Sequence, residues 1–405
     1  MKNVVFVAPY FGPTMTRVLK ALSEVGGTRV GVITQVPEER MPRGIAVAGH
    51  YAVDNALDAG QLKVATRAFQ KEWGRVDRLI GYLEHMQQAL ADTREALGIE
   101  GMHSDVARRF RDKNVMKKTL AEHGLPVARQ SLITGYTSAI EFVERVGFPI
   151  ILKPTQGVGS KDTFRVGSDE ELYAVLNRLL PTNDQPLQGE EFITGEEHTL
   201  ETVMIEGEAV WQSSTYYLPG PLKVLENPWM QYCVLLPREQ HEEHVRQFQA
   251  TNASALKALG LKTGFSHMEW FLRSDGSHVV SEVGGRPAGV NIMAMNGFAH
   301  DVDVWAKWTR LEVHHEWEMP ERRYACGCAF LRGHGPGRTL ADIEGLESTL
   351  AALGDIVVDT QLPRVGQARS AHYEGEGWVL VRAPETQGVV EALKRVVTGI
   401  QLRYV

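Results

Sequence analysis

The chain contains 405 residues, 43% of them hydrophobic, and has a formal net charge of -7. This length predicts two or three domains with enough apolar material for sizeable cores. The acidic balance excludes the broad basic surface that binds nucleic acids or anionic membranes. Any bound polyanion therefore has to be held by a few local lysines and arginines.

The compartment is predicted from the N-terminus and the cysteines. A short apolar run near the N-terminus is broken by Pro9, Gly12 and Pro13, which makes it too short for a signal peptide or a membrane span. The three cysteines form no disulfide framework, and the apolar stretch around Cys326 and Cys328 favours buried strand residues over a metal or redox pair. We expect a cytoplasmic protein with no nucleic-acid or membrane partner.

The first hundred residues predict a small doubly wound α/β domain. Apolar runs at 4–8 and 29–34 are typical of strands, and residues 14–25 between them predict a helix capped by Thr14 and ended by two glycines. The first strand-to-helix turn lacks the glycine pattern of dinucleotide-binding folds, so the sequence does not indicate an NAD site.

A basic helix is predicted at 104–123, where Gly124 and Pro126 supply the stop signal. Lys113 and Lys117 lie four residues apart and therefore share one face. Two like charges on one face are unfavourable unless an anion or solvent lies between them. The helix is interpreted either as an anion-binding element or as a solvated basic surface.

An apolar strand ending in Lys153 leads into a loop of small residues. Gly157 and Gly159 allow the backbone to approach a polyanion, and consecutive backbone N–H groups in such a loop form an anion-binding concavity. Ser160 and Lys161 add side-chain donors. Because the loop lacks the P-loop signature, a hairpin with a surface lysine is the alternative to phosphate binding.

The next segment surrounds a short apolar pair with acidic residues and a glycine turn. Glu190 and Glu191 come directly before Phe192 and Ile193, and Glu197 follows the turn. This arrangement offers backbone groups and an apolar wall to a planar ring, after which the pattern alternates like a strand.

Residues 213–238 are rich in aromatic residues and prolines, among them Tyr216 and Trp229. This composition predicts a loop excursion, and long loops in compact domains are often functional. A helix is predicted at 239–259, directly before the next strand.

The second chemical signal is a hairpin turned at Asp275 and Gly276. Its pairing brings Glu269 and Glu282 to adjoining positions, and Arg286 follows four residues later. Adjacent carboxylates are unfavourable without a cation, and Mg²⁺ bound jointly by carboxylates and substrate phosphates supplies one. A solvent-facing pair offset by Arg286 is the alternative.

In this order, the lysine-bearing helix, the strand-end lysine with its loop, the acid-flanked apolar pair and the two-glutamate hairpin resemble the ATP-grasp superfamily. The resemblance covers residues 1–310 by motif order. It is most similar to carboxylate–amine ligases of the L-amino acid ligase type, and more distantly to biotin carboxylase. It implies a mixed α/β and α+β ATP-grasp fold with a doubly wound domain at 1–105, a core at 106–310 with a lid at about 124–193, and an α+β region at 311–405.

The resemblance also implies roles for individual residues. Mg²⁺, with Mn²⁺ as an alternative ion, would be held by Glu269 and Glu282, and catalysis would depend on Arg286, Lys153 and Glu282. Gly284 departs from the asparagine that many members use as a further metal ligand. The implied ATP-binding residues are Lys113, Lys153, Gly157, Gly159, Ser160, Glu190, Glu191, Phe192, Ile193 and Glu197. The implied acceptor pocket contains His267, Arg286, Tyr216 and Trp229.

The chemistry implied by the resemblance is amide formation between a small-molecule carboxylate and an amine, both expected to be amino acids or similar compounds. The carboxylate would first become an acyl phosphate, and loop 156–163 would close over it to exclude water. Two alternatives stay open at this point: an enzyme that activates bicarbonate or formate, and a nucleotide-binding sensor without turnover. A homodimer is an expectation from similar proteins.

Overall fold

The structure is a computed structural model that describes residues 1–157, 162–227, 229–239 and 243–405. Two of the predicted ATP-binding residues, Gly159 and Ser160, lie outside the described residues, as does part of the predicted closing loop. Among the described residues, no helix has the length and apolar character needed to cross a membrane.

The N-terminal unit confirms the predicted doubly wound arrangement. Its four strands are parallel and lie in the order β3-β2-β1-β4. Along β1, Val4 and Phe6 pack into one core while Val5 and Val7 pack into the core on the other face of the sheet, as expected for a parallel strand covered on both sides. The elements are β1 (Lys2–Ala8), α1 (Pro13–Ser23), β2 (Thr28–Thr34), β3 (Gly49–Ala52), α2 (Ala59–Trp73), β4 (Arg78–Ile80) and α3 (Gln87–Leu97). Helix α1 begins one residue before the predicted cap, with Pro13 as its first residue.

The predicted helix at 104–123 is two helices, α4 (Ser104–Arg111) and α5 (Lys113–Glu122), so the prediction of one continuous helix is wrong. The chain breaks at Asp112, which has extended backbone angles. The carboxylate of Asp112 accepts hydrogen bonds from the backbone N–H groups of Asn114 and Val115, which makes it the N-cap of α5.

A small antiparallel sheet follows, with the strand order β5-β8-β6-β7. Its core includes Phe142, Ile150 and Leu152. Its elements are β5 (Gln130–Ile133), α6 (Tyr136–Val146), β6 (Ile150–Pro154), β7 (Phe164–Val166), α7 (Asp169–Leu179) and β8 (Leu187–Glu191). We call this unit the small sheet.

The largest element is an eight-stranded sheet with the order β13-β12-β9-β10-β11-β14-β17-β16. Its strands are β9 (Glu196–Ile205), β10 (Glu208–Leu218), β11 (Tyr232–Leu236), β12 (Gly264–Leu272), β13 (His278–Gly284), β14 (Ala325–Leu331), β16 (Val357–Gln361) and β17 (Gly377–Ala383). The remaining strands, β15 (Leu340–Glu344) and β18 (Gln401–Tyr404), pair with each other. The associated helices are α8 (Pro221–Glu226), α9 (Glu243–Leu259), α10 (Ile292–His300), α11 (Val304–His314), α12 (Leu346–Leu353) and α13 (Thr386–Gly399).

The predicted loop excursion at 213–238 is wrong, because most of this segment is regular structure. Strand β10 continues to Leu218 and pairs with β11, so that Tyr216 lies opposite Leu235. The short helix α8 connects the two strands. Backbone pairing within the sheet therefore takes up a segment whose proline and aromatic content suggested a loop.

The C-terminal region belongs to the same large sheet, since β14 pairs with the whole length of β11. The sheet thus runs across residue 310, and the domain division made from the sequence stays a prediction. Cys233, Cys326 and Cys328 are free and buried in β11 and β14. This confirms the interpretation of Cys326 and Cys328 as buried strand residues.

Candidate active site

A cleft lies between the small sheet and the two-glutamate hairpin, and it encloses a cavity of about 180 Å³. The small sheet contributes Lys153 from the end of β6 and Glu190 from β8. The hairpin contributes Glu269 and Glu282 from the opposite wall. The cleft brings together most of the residues that the sequence predicted. Those that line it are Lys113, Lys153, Gly157, Glu190, Glu191, Phe192, Ile193, Glu197, His267, Glu269, Glu282 and Arg286.

The hairpin has the predicted register. Glu269 of β12 lies opposite Glu282 of β13, with a bulge directly after Glu269. The turn uses Gly276 at a φ of 82°, a left-handed conformation that glycine adopts without strain. The adjacent carboxylates are partly balanced by Lys113, whose Nζ lies 2.9 Å from Oε1 of Glu282.

Two buried lysines hold one buried carboxylate at the floor of the cleft. The Nζ atoms of Lys117 and Lys153 lie 2.8 Å and 3.1 Å from Oε2 of Glu190. Burial alone would raise the pKa of Glu190, but the two ammonium groups outweigh it and hold the pKa at about 2. Oε1 of Glu190 is buried and has no hydrogen-bond partner among the described residues. The cluster carries a net positive charge at the floor of the cleft.

Arg286 is held by a residue of the N-terminal unit. Nε of Arg286 donates to Glu84, and the same carboxylate accepts from Arg111 at the end of α4. Burial would raise the pKa of Glu84, but Arg286 and Arg111 together lower it to about 2. Arg286 also donates through Nη1 to the carbonyl of Pro287 at 2.7 Å. Its guanidinium is therefore fixed beside the two-glutamate hairpin.

His267 lies beneath Glu269 in a buried hydrogen-bond network. Its Nδ1 is 2.8 Å from Oε1 of Glu201, and its Nε2 is 3.6 Å from Oε1 of Glu269. Burial would lower the pKa of His267, but the two carboxylates raise it to about 9. The hydroxyl of Tyr217 donates to Glu269 at 3.2 Å. These contacts hold Glu269 in place from below.

The cleft contains two adjacent carboxylates, Glu269 and Glu282, whose fit to a divalent cation can be compared with the rest of the wall. Burial, and to a lesser extent the charge of Glu269, raise the pKa of Glu197 to about 8. Among the described residues, no three side chains of the histidine, cysteine, aspartate or glutamate type form a metal-binding group. Two carboxylates such as Glu269 and Glu282 fit Mg²⁺ in its usual mode, in which substrate phosphates and water complete the shell.

Two residues of the predicted acceptor pocket lie elsewhere. Tyr216 is on the face of β10 away from the cleft. There its ring lies edge-on to the ring of His198, with the two ring centroids 4.6 Å apart. Because side chains alternate along a strand, Tyr217 lines the cleft instead. The side chain of Trp229 is 60% exposed and does not line this cavity among the described residues.

The sequence interpretation missed several residues that contribute to the site. The sequence allows Lys117 to be either an anion-binding or a solvated lysine, yet the residue is only 1% exposed. Its spacing from Lys113 was the available signal. Glu84 and Tyr373 come from units to which no chemistry was assigned, and Glu201 was not distinguished from its strand neighbours. The contribution of these residues depends on contacts that the sequence does not display.

Comparisons with known proteins show what this chain is similar to. The family model described as the ATP-binding domain of the carbamoyl-phosphate synthase L chain matches residues 112–200. An L-arginine-specific L-amino acid ligase from Bacillus subtilis is 25% identical over 271 residues, which are 66% of this chain and 64% of that protein. The chain thus spans just under two thirds of this curated relative's length.

Solved structures show the same fold over the whole chain. The L-amino acid ligase from Bacillus licheniformis has a TM-score of 0.78 at 19% identity, with 100% of this chain and 99% of that chain covered. The biotin carboxylase domain of the Hydrogenobacter thermophilus 2-oxoglutarate carboxylase has a TM-score of 0.69 at 16% identity, with 99% and 90% covered. The chain therefore has the ATP-grasp fold, and its sequence is similar to an ATP-binding domain model and to an amino acid ligase.

Proposed function

We propose that the protein is an ATP-dependent ligase that joins a small-molecule carboxylate to an amine. The observation that carries the proposal is the convergence of three kinds of group in one cleft. These are the buried lysines around Glu190, the paired carboxylates Glu269 and Glu282, and the fixed guanidinium of Arg286. Phosphoryl transfer depends mainly on positioning and on charge stabilisation, and these groups supply both.

ATP is proposed to lie between the small sheet and the hairpin. Lys113 and Lys153 would contact its phosphates, and the segment from Glu190 to Ile193 would flank the base. The proposed Mg²⁺ ligands are Glu269 and Glu282. A bound Mg²⁺ would neutralise phosphate charge, and Lys113 would then be released from its contact with Glu282 to bind phosphate.

The reaction balances in two steps. A carboxylate oxygen attacks the γ-phosphorus of ATP, the bond to the bridging oxygen breaks, and ADP leaves with an acyl phosphate formed. The amine nitrogen then attacks the acyl carbon, loses a proton, and expels phosphate to give the amide. The proposed role of Arg286 is to stabilise the negative charge that develops on the acyl oxygen through its guanidinium group.

The substrates are proposed to be amino acids or similar compounds. The relatives that support this proposal are ligases named for amino acids. Tyr217 and Tyr373 give the cleft an aromatic wall, which suits an organic acceptor better than bicarbonate or formate. A cytoplasmic location and a homodimer stay predictions.

Trapping with hydroxylamine tests the proposed intermediate. The protein is incubated with Mg·ATP, hydroxylamine and one amino acid at a time, and acyl hydroxamates are detected by mass spectrometry. We expect a hydroxamate that depends on ATP and on one class of amino acid. Phosphate release without a hydroxamate from any carboxylate, including bicarbonate and formate controls, would contradict an acyl-phosphate intermediate.

A further inference from the structure

A second cavity, of about 870 Å³, lies between the N-terminal unit and the large sheet. We call it the interdomain cavity. Strand β4, the start of β12 and helix α11 form its walls, with Ile80, Phe265 and Trp308 as apolar lining residues. A cavity of this size lies within the usual range for small-molecule sites. Arg286 lines both this cavity and the cleft proposed to bind ATP, which we call the nucleotide cleft. The two are therefore neighbours.

One wall of this cavity contains a buried cation, Arg94, that contacts no carboxylate among the described residues. Arg94 is 6% exposed, and within the same residues its hydrogen bonds go to the backbone carbonyls of Leu79 and Met102, at 2.9 Å and 3.2 Å. Gly101 allows the loop to lie directly against it, because a Cβ there would be 3.0 Å from Cδ of Arg94. Burial lowers the pKa of Arg94 to about 10, so the guanidinium remains charged at neutral pH.

An anion lines the same cavity without contacting Arg94. The carboxyl group of Glu312 interacts electrostatically with Arg94 and Arg78, yet no ion pair joins Glu312 to either residue in the part of the chain that the structure describes. Arg78 is engaged elsewhere, since its Nη1 lies 2.5 Å from Glu100. Arg94 and Glu312 are therefore groups of opposite charge that share a cavity without an ion pair between them among the described residues, and the indole of Trp308 is a polar neighbour of the Glu312 carboxyl group.

Buried charges that lack an ion-pair partner are costly, and a ligand of complementary charge offsets that cost. A molecule carrying both an ammonium and a carboxylate group complements Glu312 and Arg94 together, and the apolar walls suit its side chain. We propose that the interdomain cavity binds a small zwitterion, an amino acid or a dipeptide, with its carboxylate at Arg94 and its ammonium at Glu312. This site is separate from the nucleotide cleft and does not depend on the proposed ligase activity.

The test is direct binding without nucleotide. Glycine, leucine, arginine and alanyl-leucine are titrated into the full-length protein by calorimetry, each beside its N-acetyl and methyl ester derivatives. We expect at least one zwitterion to bind and its two derivatives to bind at least about tenfold more weakly, because each lacks one charge-assisted contact. Since ATP is left out, a failure of the ligase proposal would not affect this result.

Two variants locate the site. Glu312→Gln removes the proposed ammonium partner, and we expect it to weaken binding by roughly tenfold. Val106→Trp fills the cavity from helix α4 and is expected to abolish binding; it also serves as the second variant if Glu312→Gln does not fold. Glu318→Gln, at an exposed glutamate outside the cavity, is the matched control.

The proposal is overturned by either of two results. The first is that none of the zwitterions binds to the wild-type protein. The second is that binding occurs but is unchanged in folded Glu312→Gln and Val106→Trp, or is lost in Glu282→Gln, because the ligand would then lie in the nucleotide cleft. Binding that follows the two cavity variants and survives Glu282→Gln supports the site.

Discussion

Glu282 lies opposite Glu269 in the hairpin, and its Oε1 is 2.9 Å from Nζ of Lys113. The proposed reaction needs the negative charge of Glu282 to bind Mg²⁺. We predict that Glu282→Gln lowers the turnover number by at least about 100-fold, the usual scale for losing a group that stabilises transition-state charge. Phosphate release under saturating Mg·ATP measures this loss.

The control for this prediction is Glu347→Gln, which changes an exposed glutamate of α12 in the same way. Both variants should melt within a few degrees of the wild-type protein, since the replacement keeps the side-chain volume. Full activity in Glu282→Gln would contradict the assignment of Glu282 as a Mg²⁺ ligand.

Lys117 is buried in the cleft, and we expect its replacement to lower the stability of the protein. Lys117→Met leaves Glu190 buried with Lys153 as its one remaining lysine partner. Breaking a buried ion pair costs about 3 kcal/mol of the free energy of unfolding, which urea denaturation measures. Lys118→Met changes an exposed lysine of the same helix and should cost much less. Equal losses in the two variants would show that Lys117 is not a structural partner of Glu190.

The buried His198 should make the free energy of unfolding depend on pH in the acidic range. Burial, with smaller contributions from His244 and His278, lowers its pKa from 6.5 to about 4. The unfolded chain therefore binds a proton between pH 6.5 and 4 while the folded protein does not. The free energy of unfolding falls as pH falls through this window, by up to about 1.4 kcal/mol per pH unit from this group.

The variant His198→Phe tests this effect, since phenylalanine can keep the stacking on Trp270, whose ring centroid lies 4.6 Å away. We predict that the variant loses less stability than the wild-type protein between pH 6.5 and 4.5 in urea denaturation. Parallel pH profiles for the two proteins would contradict the prediction.

At the scale of elements, the short helix α5 positions both Lys113 and Lys117, and it begins at the cap formed by Asp112. Asp112→Ala should lower the free energy of unfolding by about 1 kcal/mol and also weaken nucleotide binding, because the first turn of the helix carries Lys113. The matched control is Asp58→Ala, which removes the N-cap of α2 in the N-terminal unit.

The two cap variants should therefore lose similar stability but differ in ATP affinity, measured by calorimetry. An ATP affinity that falls equally in both would mean that the effect comes from general destabilisation. An unchanged affinity in Asp112→Ala would mean that α5 does not position the phosphate contacts.

The sequence predicts an element well where a local pattern determines it. The hairpin register follows from the turn at Asp275 and Gly276, so the pairing of Glu269 with Glu282 is confirmed. Prediction from the sequence fails where a tertiary contact or a local change in backbone conformation determines the structure. The break at Asp112 replaces a helical bond by a side-chain cap, and the pairing of β10 with β11 orders a segment with the composition of a loop.

The same distinction applies to the site residues. Strand alternation was available to choose between Tyr216 and Tyr217, but the loop prediction for this segment removed the alternation from consideration. Glu84 could not be found, because its role depends on Arg111 and Arg286, which lie 27 and 202 residues away. Contacts at such separations leave no mark on a single sequence.

At the scale of the whole molecule, the cleft is assembled from several units, and Glu84 links them. It comes from the N-terminal unit and binds both Arg111 and Arg286. We predict that Glu84→Gln lowers turnover by roughly tenfold while ATP affinity changes little, since the ion pairs of Glu84 are with Arg286 and Arg111 and it therefore acts by positioning Arg286. Steady-state kinetics and calorimetry measure the two quantities. A loss of ATP affinity as large as the loss of turnover would contradict this role.

The most direct test of the central claim is phosphate release from Mg·ATP across a matrix of single amino acids, amino-acid pairs, bicarbonate and formate, with mass spectrometry of the positive wells. A carboxylate–amine ligase should release phosphate only when both a carboxylate and an amine are present, yield an amide of the two, and lose this release in Glu282→Gln. Release with bicarbonate or formate alone, or ATP binding without release in any well, would contradict a carboxylate–amine ligase.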